Sequence, residues 1–327
     1  MSAAPVVTTT ASFVARTSPR AEQIAPRGVP RVAHLRLADG TCWAIEAGDE
    51  RAQPALALIE RWMSIPASGV NRTRDIASRL GKPWLITEEG LAPRRARMPL
   101  CCCNLDQEAH PLETISRAAR ELTGWNHRVC LRSVYGNLPP LLWHVCSFMA
   151  TRVVHRGGLL LHGALATRAG HGVVFAGHSG AGKSTSVCRL PAPWRALADD
   201  ATLVARDDNG VYWAHSWPGP AVFVNHERPF HVDAREAVPL RAVFFLEQAD
   251  RDHAGFLSGG EAVANLVESC GQGLSIPPDD DTSDERRRLW LKIFENACAM
   301  KKRLAVGKLE ATLTGRFWEE IERLLGL

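Results

Sequence analysis

The sequence has 327 residues, of which 46% are hydrophobic and 23% are charged. This composition is typical of a folded globular protein and excludes a wholly disordered, collagen-like or coiled-coil chain. Lys and Arg outnumber Asp and Glu by 39 − 35 = 4, an excess too small to indicate a nucleic-acid partner. The length predicts two domains.

The cysteines and the apolar segments indicate in which cellular compartment the protein is expected. None of the nine cysteines forms a Cys-x-x-Cys pair, which argues against a zinc or redox motif and favours a reducing environment. We interpret the run Cys101–Cys103 and scattered cysteines such as Cys188 as small apolar residues. The most apolar stretch, residues 138–161, is interrupted by two histidines and two arginines. No membrane span is expected, and the sequence predicts a cytoplasmic protein.

The first predicted elements follow a tail. Residues 1–30 contain four prolines and no hydrophobic period, which predicts a disordered tail. Apolar residues alternate over 33–37 and again over 41–45, on either side of Asp39-Gly40. This pattern predicts a β-hairpin.

A helix and a less regular segment come next. Pro54 opens a helix that carries apolar residues at helical spacing up to Met63. A further strand is expected at residues 83–87. The arginines within residues 94–97 are interpreted as a solvated loop, with a contact to an anionic partner as the alternative. Together these elements predict a small α+β domain over residues 31–135.

The remainder, residues 136–327, predicts an α/β domain. It opens with a helix over 138–156. Short, continuously apolar runs then predict strands buried on both faces. These predicted strands cover residues 159–162, 172–177, 195–204, 212–215 and 241–246. Two helices follow, over residues 282–303, where Thr282 and Glu285 fit a capping box, and over residues 314–325.

One stretch carries the clearest chemical signal. It consists of Gly177, His178, Ser179, Gly180, Ala181, Gly182, Lys183, Ser184 and Thr185. The stretch fits G-x-x-x-x-G-K-[ST] between an apolar strand and a helix, and this context predicts a loop whose backbone N–H groups bind phosphate. Lys183 is expected to reach the β- and γ-phosphates, and the Ser184 hydroxyl to ligate Mg²⁺.

Three further positions are candidates for the same site. Asp199 and Asp200 end the strand that follows the loop helix, so a right-handed crossover places them at the same rim of the sheet. One carboxylate can ligate Mg²⁺ and the other can accept a proton from a hydroxyl. His162 is predicted to end the preceding strand at that rim. Glu247 is a less favoured alternative, as the water-activating acid of an ATPase.

The order of these motifs resembles the catalytic domain of HPr kinase/phosphorylase. The resemblance rests on His162-Gly163, the glycine-rich loop and Leu197–Asp200, and it covers about residues 158–247. A closer resemblance is to the HPr-kinase-like protein of the SynChlorMet cassette. Four stretches carry it: Pro193–Asp200, Phe244–Gln248, Phe294–Cys298 and Leu313–Glu320. The kinases of lasso-peptide precursors are similar in the same core motifs.

The resemblance implies a fold like that of phosphoenolpyruvate carboxykinase, with a P-loop in a mixed sheet. It implies ATP and Mg²⁺ as cofactors and phosphorylation of a serine hydroxyl. Carried over by position, Lys183 and Ser184 hold phosphate and Mg²⁺, Asp199 is the general base, Asp200 is a carboxylate on the metal side, and His162 is their active-site partner.

Three features depart from the HPr kinase pattern. His178 stands where an acid is usual, and Thr185 where a glutamate is usual. Residues 215–220 occupy the region of a missing Leu-Glu-Ile-Arg-Gly signature. These departures bear on the HPr substrate and on the reverse, phosphorylase reaction, and they leave the ATP site intact.

The sequence therefore predicts an ATP- and Mg²⁺-dependent kinase that phosphorylates a hydroxyl of a ribosomally made precursor peptide or small protein. Two alternatives stay open, a nucleotide-binding accessory protein without phosphotransfer and a P-loop ATPase. The expected partners are the peptide or small-protein substrate and modification enzymes of the same pathway. Neither nucleic acid nor a membrane is expected, and a homo-oligomer is left open.

Overall fold

The computed structural model describes residues 32–47, 53–65, 67–68, 126–131, 138–219, 232–274 and 284–327. Several expectations lie outside these residues. They are the disordered tail, the strand at 83–87, the arginines within 94–97, the run Cys101–Cys103 and the helix cap at Thr282.

The amino-terminal part forms a four-stranded sheet with one helix. Its strands are β1 (Val32–Arg36), β2 (Cys42–Ala47), β3 (Ala67–Ser68) and β4 (Asn126–Leu131), and the helix is α1 (Gln53–Met63). The order across the sheet is β3-β1-β2-β4. β1 and β2 pair in antiparallel register, as predicted for the hairpin. The turn contains Gly40 at φ +81°, a conformation that favours glycine.

The larger sheet has eight strands. They are β5 (Leu159–Arg168), β6 (His171–Ala176), β7 (Arg195–Ala198), β8 (Ala201–Arg206), β9 (Tyr212–Trp217), β10 (Ala237–Gln248), β11 (His253–Phe256) and β12 (Ala305–Ala311). The main order is β11-β12-β10-β6-β5-β8-β9. β7 lies beside the second half of β5, and the start of β10 also pairs with β9. The sheet is mixed, because β6, β10 and β12 are parallel while β5 is antiparallel to β6.

Helices cover both faces of this sheet. They are α2 (Leu138–His155), α3 (Lys183–Arg189), α4 (Gly259–Gly273), α5 (Asp284–Lys301) and α6 (Phe317–Leu325). Along β6, Val174 and Ala176 join the core shared with α2, α4 and α5, whereas Val173 and Phe175 join the core shared with α3 and α6. This arrangement confirms the α/β class and the prediction of strands buried on both faces.

The structure corrects two sequence expectations about elements and adds elements that were not predicted. The run 195–204 is two strands, because Asp199 and Asp200 form a turn between β7 and β8 and both strands pair with β5. The strand expected at 159–162 extends to Arg168. The sequence analysis also did not predict β11, α4 or β12.

The two sheets share one apolar core. The ring of Trp43 in β2 packs edge-on against Phe148 in α2, with centroids 5.9 Å apart. The buried Asp39 carboxylate lies 3.2 Å from Nε of Arg156. The backbone N–H of Ala38 donates to Nε2 of His215 in β9 over 3.2 Å. The hairpin is thereby attached to the larger sheet by polar contacts as well as by packing.

Cysteine environments follow burial. Cys146 and Cys270 are fully buried, and burial raises the pKa of each thiol to about 12. Cys188, which the sequence analysis interpreted as a small apolar residue, lies at an exposed position on α3. None of the helices in the described part of the chain combines the length and apolar character needed to cross a membrane.

Candidate functional site

The glycine-rich segment forms the predicted connection between a strand and a helix. β6 ends at Ala176, the loop follows, and α3 begins at Lys183. Gly177 and Gly182 adopt φ of +149° and +97°. A Cβ on Gly177 would lie 3.2 Å from both Cβ of Ala181 and the carbonyl oxygen of Leu246. Larger residues are disfavoured here, and the conformation is suited to backbone N–H groups that converge on an anion.

Lys183 is folded over the start of this loop. Its Nζ donates to the carbonyl oxygens of Gly177 and His178, at 2.8 Å each. Burial lowers the pKa of Lys183, and the nearby Asp200 carboxylate partly opposes this shift. The ammonium group is therefore held beside the first two residues of the loop.

The two aspartates lie at the same rim as the loop. β6 and β7 are both antiparallel to β5, which lies between them, so their carboxyl ends point the same way. The Ser184 hydroxyl donates to the backbone carbonyl of Asp199 over 3.4 Å. Asp200 lies near Lys183, as its effect on that pKa indicates. The structure brings the loop and the aspartate turn together.

The expectation that His162 ends its strand is wrong. His162 lies within β5, and β5 continues to Arg168. Because β5 and β6 are antiparallel, Gly163 pairs with Ala176 at the end of β6, and His162 reaches the same rim by this route. Its Nε2 lies 3.5 Å from Oδ1 of Asp200.

Helix α4 contributes side chains that sequence reasoning missed. His162 donates from Nδ1 to Oε1 of Gln272 over 3.0 Å. Nε2 of Gln272 donates to Nδ1 of His178 at 3.3 Å and to Oε1 of Glu268 at 3.2 Å. These contacts link Asp200, through His162 and Gln272, to the exposed His178 side chain in the loop. In the sequence, only the four-residue spacing of Glu268 and Gln272 could have indicated that they lie on one face of a helix. Helix α4 itself was not predicted.

Gly219 lies directly against the aspartate turn. A Cβ on Gly219 would lie 2.7 Å from Cγ of Asp200, and closer still to Oδ2. Only a hydrogen fits at this position without displacing the carboxylate. Gly219 is a further residue of the site that sequence reasoning missed.

Glu247, the candidate acid of the ATPase alternative, is in an ion-pair network. Its carboxylate pairs with Lys308, which also lies 3.2 Å from Oε1 of Glu310. These hydrogen bonds raise the pKa of Lys308. In the described contacts, the Glu247 carboxylate is therefore paired with Lys308 on β12.

The donor set fits a nucleotide with Mg²⁺. Mg²⁺ is usually held by one or two carboxylates together with substrate phosphates, and not by an all-protein cage. Among the described residues no group of three or more His, Cys, Asp or Glu side chains could hold a metal ion by itself. The Ser184 hydroxyl and the Asp200 carboxylate would be the protein ligands, and the loop N–H groups with Lys183 would hold phosphate oxygens.

These features define an α/β protein in which a glycine-rich loop of the phosphate-binding pattern faces an aspartate pair across the rim of a mixed sheet. Residues 140–326 match the family model described as "SynChlorMet cassette protein ScmC", and the chain belongs to this family. No protein with a curated description matches the sequence.

Proposed function

We propose that this protein is an ATP- and Mg²⁺-dependent kinase with an HPr-kinase-like fold, and that it phosphorylates a serine or threonine hydroxyl of a ribosomally made precursor peptide. The observation that carries the proposal is the meeting of the loop with the aspartate turn. A loop alone would support nucleotide binding. The turn also brings a carboxylate, that of Asp200, near the lysine, and its neighbour Asp199 can supply the proton acceptor that transfer to a hydroxyl requires.

The residues of this chain would divide the work as follows. Bound MgATP supplies the γ-phosphoryl group. The loop N–H groups and Lys183 hold and neutralise the phosphate oxygens, and Ser184 with Asp200 orients the metal. Asp199 accepts the proton of the acceptor hydroxyl. The hydroxyl oxygen forms the new bond to the γ-phosphorus as the bond between that phosphorus and the β,γ-bridging oxygen breaks, releasing ADP.

His162 is assigned a positioning role in this proposal. Its donation to Gln272 directs Nε2 toward Asp200. Nε2 of His162 therefore lies at Oδ1 of Asp200, whereas Gly219 lies nearest Oδ2, so the two residues bound the carboxylate at different oxygens. Membership of a family of cassette proteins supports a role beside other enzymes of one pathway.

The direct test is incubation of the full chain with labelled ATP, Mg²⁺ and the precursor peptide of its own pathway, followed by mass spectrometry of the peptide. We expect one added phosphate. Lys183→Ala should abolish transfer and leave the circular dichroism spectrum unchanged. Lys292→Ala, which removes a lysine from an exposed ion pair with Glu295 on α5, is the matched control and should transfer normally.

The two aspartates need separate variants. Asp199→Asn should retain nucleotide affinity and lose transfer, because only the proton acceptor is removed. Asp200→Asn should lose transfer and also lower the affinity for Mg²⁺, so that higher Mg²⁺ concentrations are needed for nucleotide binding. Tight ATP binding without transfer to any peptide would instead identify a nucleotide-binding accessory protein. Phosphate release that needs no peptide, depends on Glu247 and survives Asp199→Asn would identify an ATPase.

A further inference from the structure

A cleft opens beside the glycine-rich loop. It has a volume of about 280 Å³ and lies between the start of the loop, the carboxyl end of β10 and helix α4. Leu246 and Leu257 contribute apolar surface, and Asn265 contributes an amide. One side of the cleft is therefore formed by a helix, and part of its surface is apolar. Such a cleft suits an extended peptide segment as well as an ion.

The charge of the cleft is predominantly negative. Glu247, Glu261 and Glu268 line it, and Lys308 is the one lysine among its lining residues. Lys308 is already paired with Glu247 and with Glu310. The Glu261 and Glu268 side chains on α4 are exposed. Glu268 accepts a hydrogen bond from Gln272 and lies 3.6 Å from Nδ1 of His178, so Glu261 offers the less engaged carboxylate to an incoming cation.

A buried hydroxyl provides a second, independent sign of a ligand. Ser269 lines the same cleft and is only 3% exposed. Its Oγ has no hydrogen-bond partner among the described residues. A buried hydroxyl without a partner is costly, and a change of χ1 that turns it toward the cleft would let a bound backbone amide or carbonyl satisfy it.

The position of Lys183 shows which end of a triphosphate would face the cleft. The lysine of this motif reaches the β- and γ-phosphates. Here its Nζ lies at the carbonyls of Gly177 and His178, and both residues also line the cleft. The transferable phosphate would therefore lie at the cleft end of the loop, where an acceptor must approach.

We propose that this cleft, which we call the α4 cleft, binds the acceptor as an extended peptide segment with lysine or arginine next to the phosphorylated serine or threonine. The inference rests on the proposed function for the identity of the acceptor. Apolar walls with a negative rim suit a basic peptide, because Glu261 and Glu268 can pair with cationic side chains on either side of the hydroxyl.

Binding of two synthetic fluorescent peptides tests the inference. Both carry a central serine and are otherwise identical, except that lysines flank the serine in one and glutamates in the other. Fluorescence anisotropy with the full chain, Mg²⁺ and a non-hydrolysable ATP analogue gives each dissociation constant. We expect the lysine peptide to bind at least about tenfold more tightly, and the difference to shrink as salt is added.

Charge reversal in the cleft provides the control. Glu261→Lys should reduce or invert the preference, and the milder Glu261→Gln should reduce it if the reversed variant folds poorly. Glu319→Lys, which reverses an exposed charge on α6 at the other face of the sheet, should leave the preference unchanged. Equal affinity for the two peptides in the unaltered protein, or an unchanged preference in both Glu261 variants, would overturn the inference.

The binding test separates this inference from the proposed function. Preferential binding of the lysine peptide without phosphate transfer to any peptide would support the α4 cleft and contradict the kinase. Transfer to both peptides at equal rates and affinities would support the kinase and contradict the specificity assigned to the cleft.

Discussion

The conformation of Asp200 depends on the residue that lies against it. Lys183 lies near its carboxylate, Nε2 of His162 lies 3.5 Å from Oδ1, and Gly219 leaves room only for a hydrogen beside Oδ2. The space around the carboxylate is thus limited by these neighbours. A residue with no functional side chain thereby helps to set the geometry of the site.

Replacing this glycine should impair catalysis more than folding. In Gly219→Ala the new methyl group must displace the Asp200 carboxylate, and a misplacement of about 1 Å can reduce a rate by about 100-fold. We expect kcat for peptide phosphorylation to fall by that order, with the affinity for nucleotide in the absence of Mg²⁺ little changed. Steady-state kinetics and titration with an ATP analogue would measure both.

A glycine in an ordinary environment is the control for that experiment. A Cβ on Gly255 in β11 would meet only Nε2 of His253, at 3.6 Å, which is a normal contact distance. Gly255→Ala should therefore leave kcat unchanged. Normal turnover in Gly219→Ala would mean that the position of the Asp200 carboxylate does not limit the reaction.

At the scale of elements, a buried histidine joins three segments. His215 in β9 is completely buried. It donates from Nδ1 to the carbonyl of Ala234 over 2.9 Å and accepts at Nε2 from the N–H of Ala38 in the hairpin turn. These bonds require the neutral ring. Burial lowers the pKa of His215, and the Ala234 bond and Asp39 oppose the shift only in part.

This arrangement predicts how stability responds to acid. Below the ordinary histidine pKa of about 6.5, His215 becomes protonated in the unfolded chain but stays neutral in the folded protein. The free energy of unfolding therefore falls with decreasing pH, by up to about 1.4 kcal/mol per pH unit. The loss ends once the pH passes below the folded pKa. Urea unfolding between pH 7.5 and about 5 should show this slope, and His215→Gln should reduce it.

A second histidine contributes to the same slope. Desolvation of its ring and the nearby positive charges of Arg152 and Lys292 also lower the pKa of His155, so His155→Gln should remove a further part of the slope. Identical slopes in the unaltered protein and His215→Gln would show that His215 does not carry the acid sensitivity.

At the scale of the whole molecule, the small sheet and the large sheet are one packing unit. The same buried cluster contains Ile45 from β2, Leu56 from α1, Met149 from α2 and Val204 from β8. Cores of this kind unfold cooperatively, because no internal boundary separates the two sets of contacts. The division at residues 135 and 136 remains a prediction about the chain's organisation.

Trp43 provides a test of this continuity. Trp43→Ala removes a buried ring that packs on Phe148, and loss of such a ring costs about 3–5 kcal/mol. Denaturant unfolding should remain a single transition at a lower midpoint, with circular dichroism and the fluorescence of the remaining tryptophans changing together. Two separated transitions would contradict a shared core.

The parts of the site that the sequence predicted are those encoded locally. The loop could be predicted because glycines, Lys183 and Ser184 are required within one short segment, between a recognisable strand and helix. The aspartate turn followed from the rule that fixes the hand of the crossover. Both inferences depend on neighbours in the chain and not on distant contacts.

The missed parts depend on distant contacts or on weak local signals. Gln272 lies 110 residues from His162 in the sequence, and a single sequence contains no sign of that pairing. Helix α4 has buried Ala262, Leu266 and Cys270 at regular intervals. It also begins with two glycines and contains two more, and glycine is a poor helix former.

The position of β5 has a consequence for how this family can vary. Its first half pairs with β8, and its second half with β6 and β7, so an added or deleted residue inside the strand would reverse the face that every later side chain presents. The turn at residues 207–210, at the far end of β8, is under no such constraint. Length differences between relatives should therefore accumulate in that turn, while the number of residues in β5 from Leu159 to Arg168 stays constant.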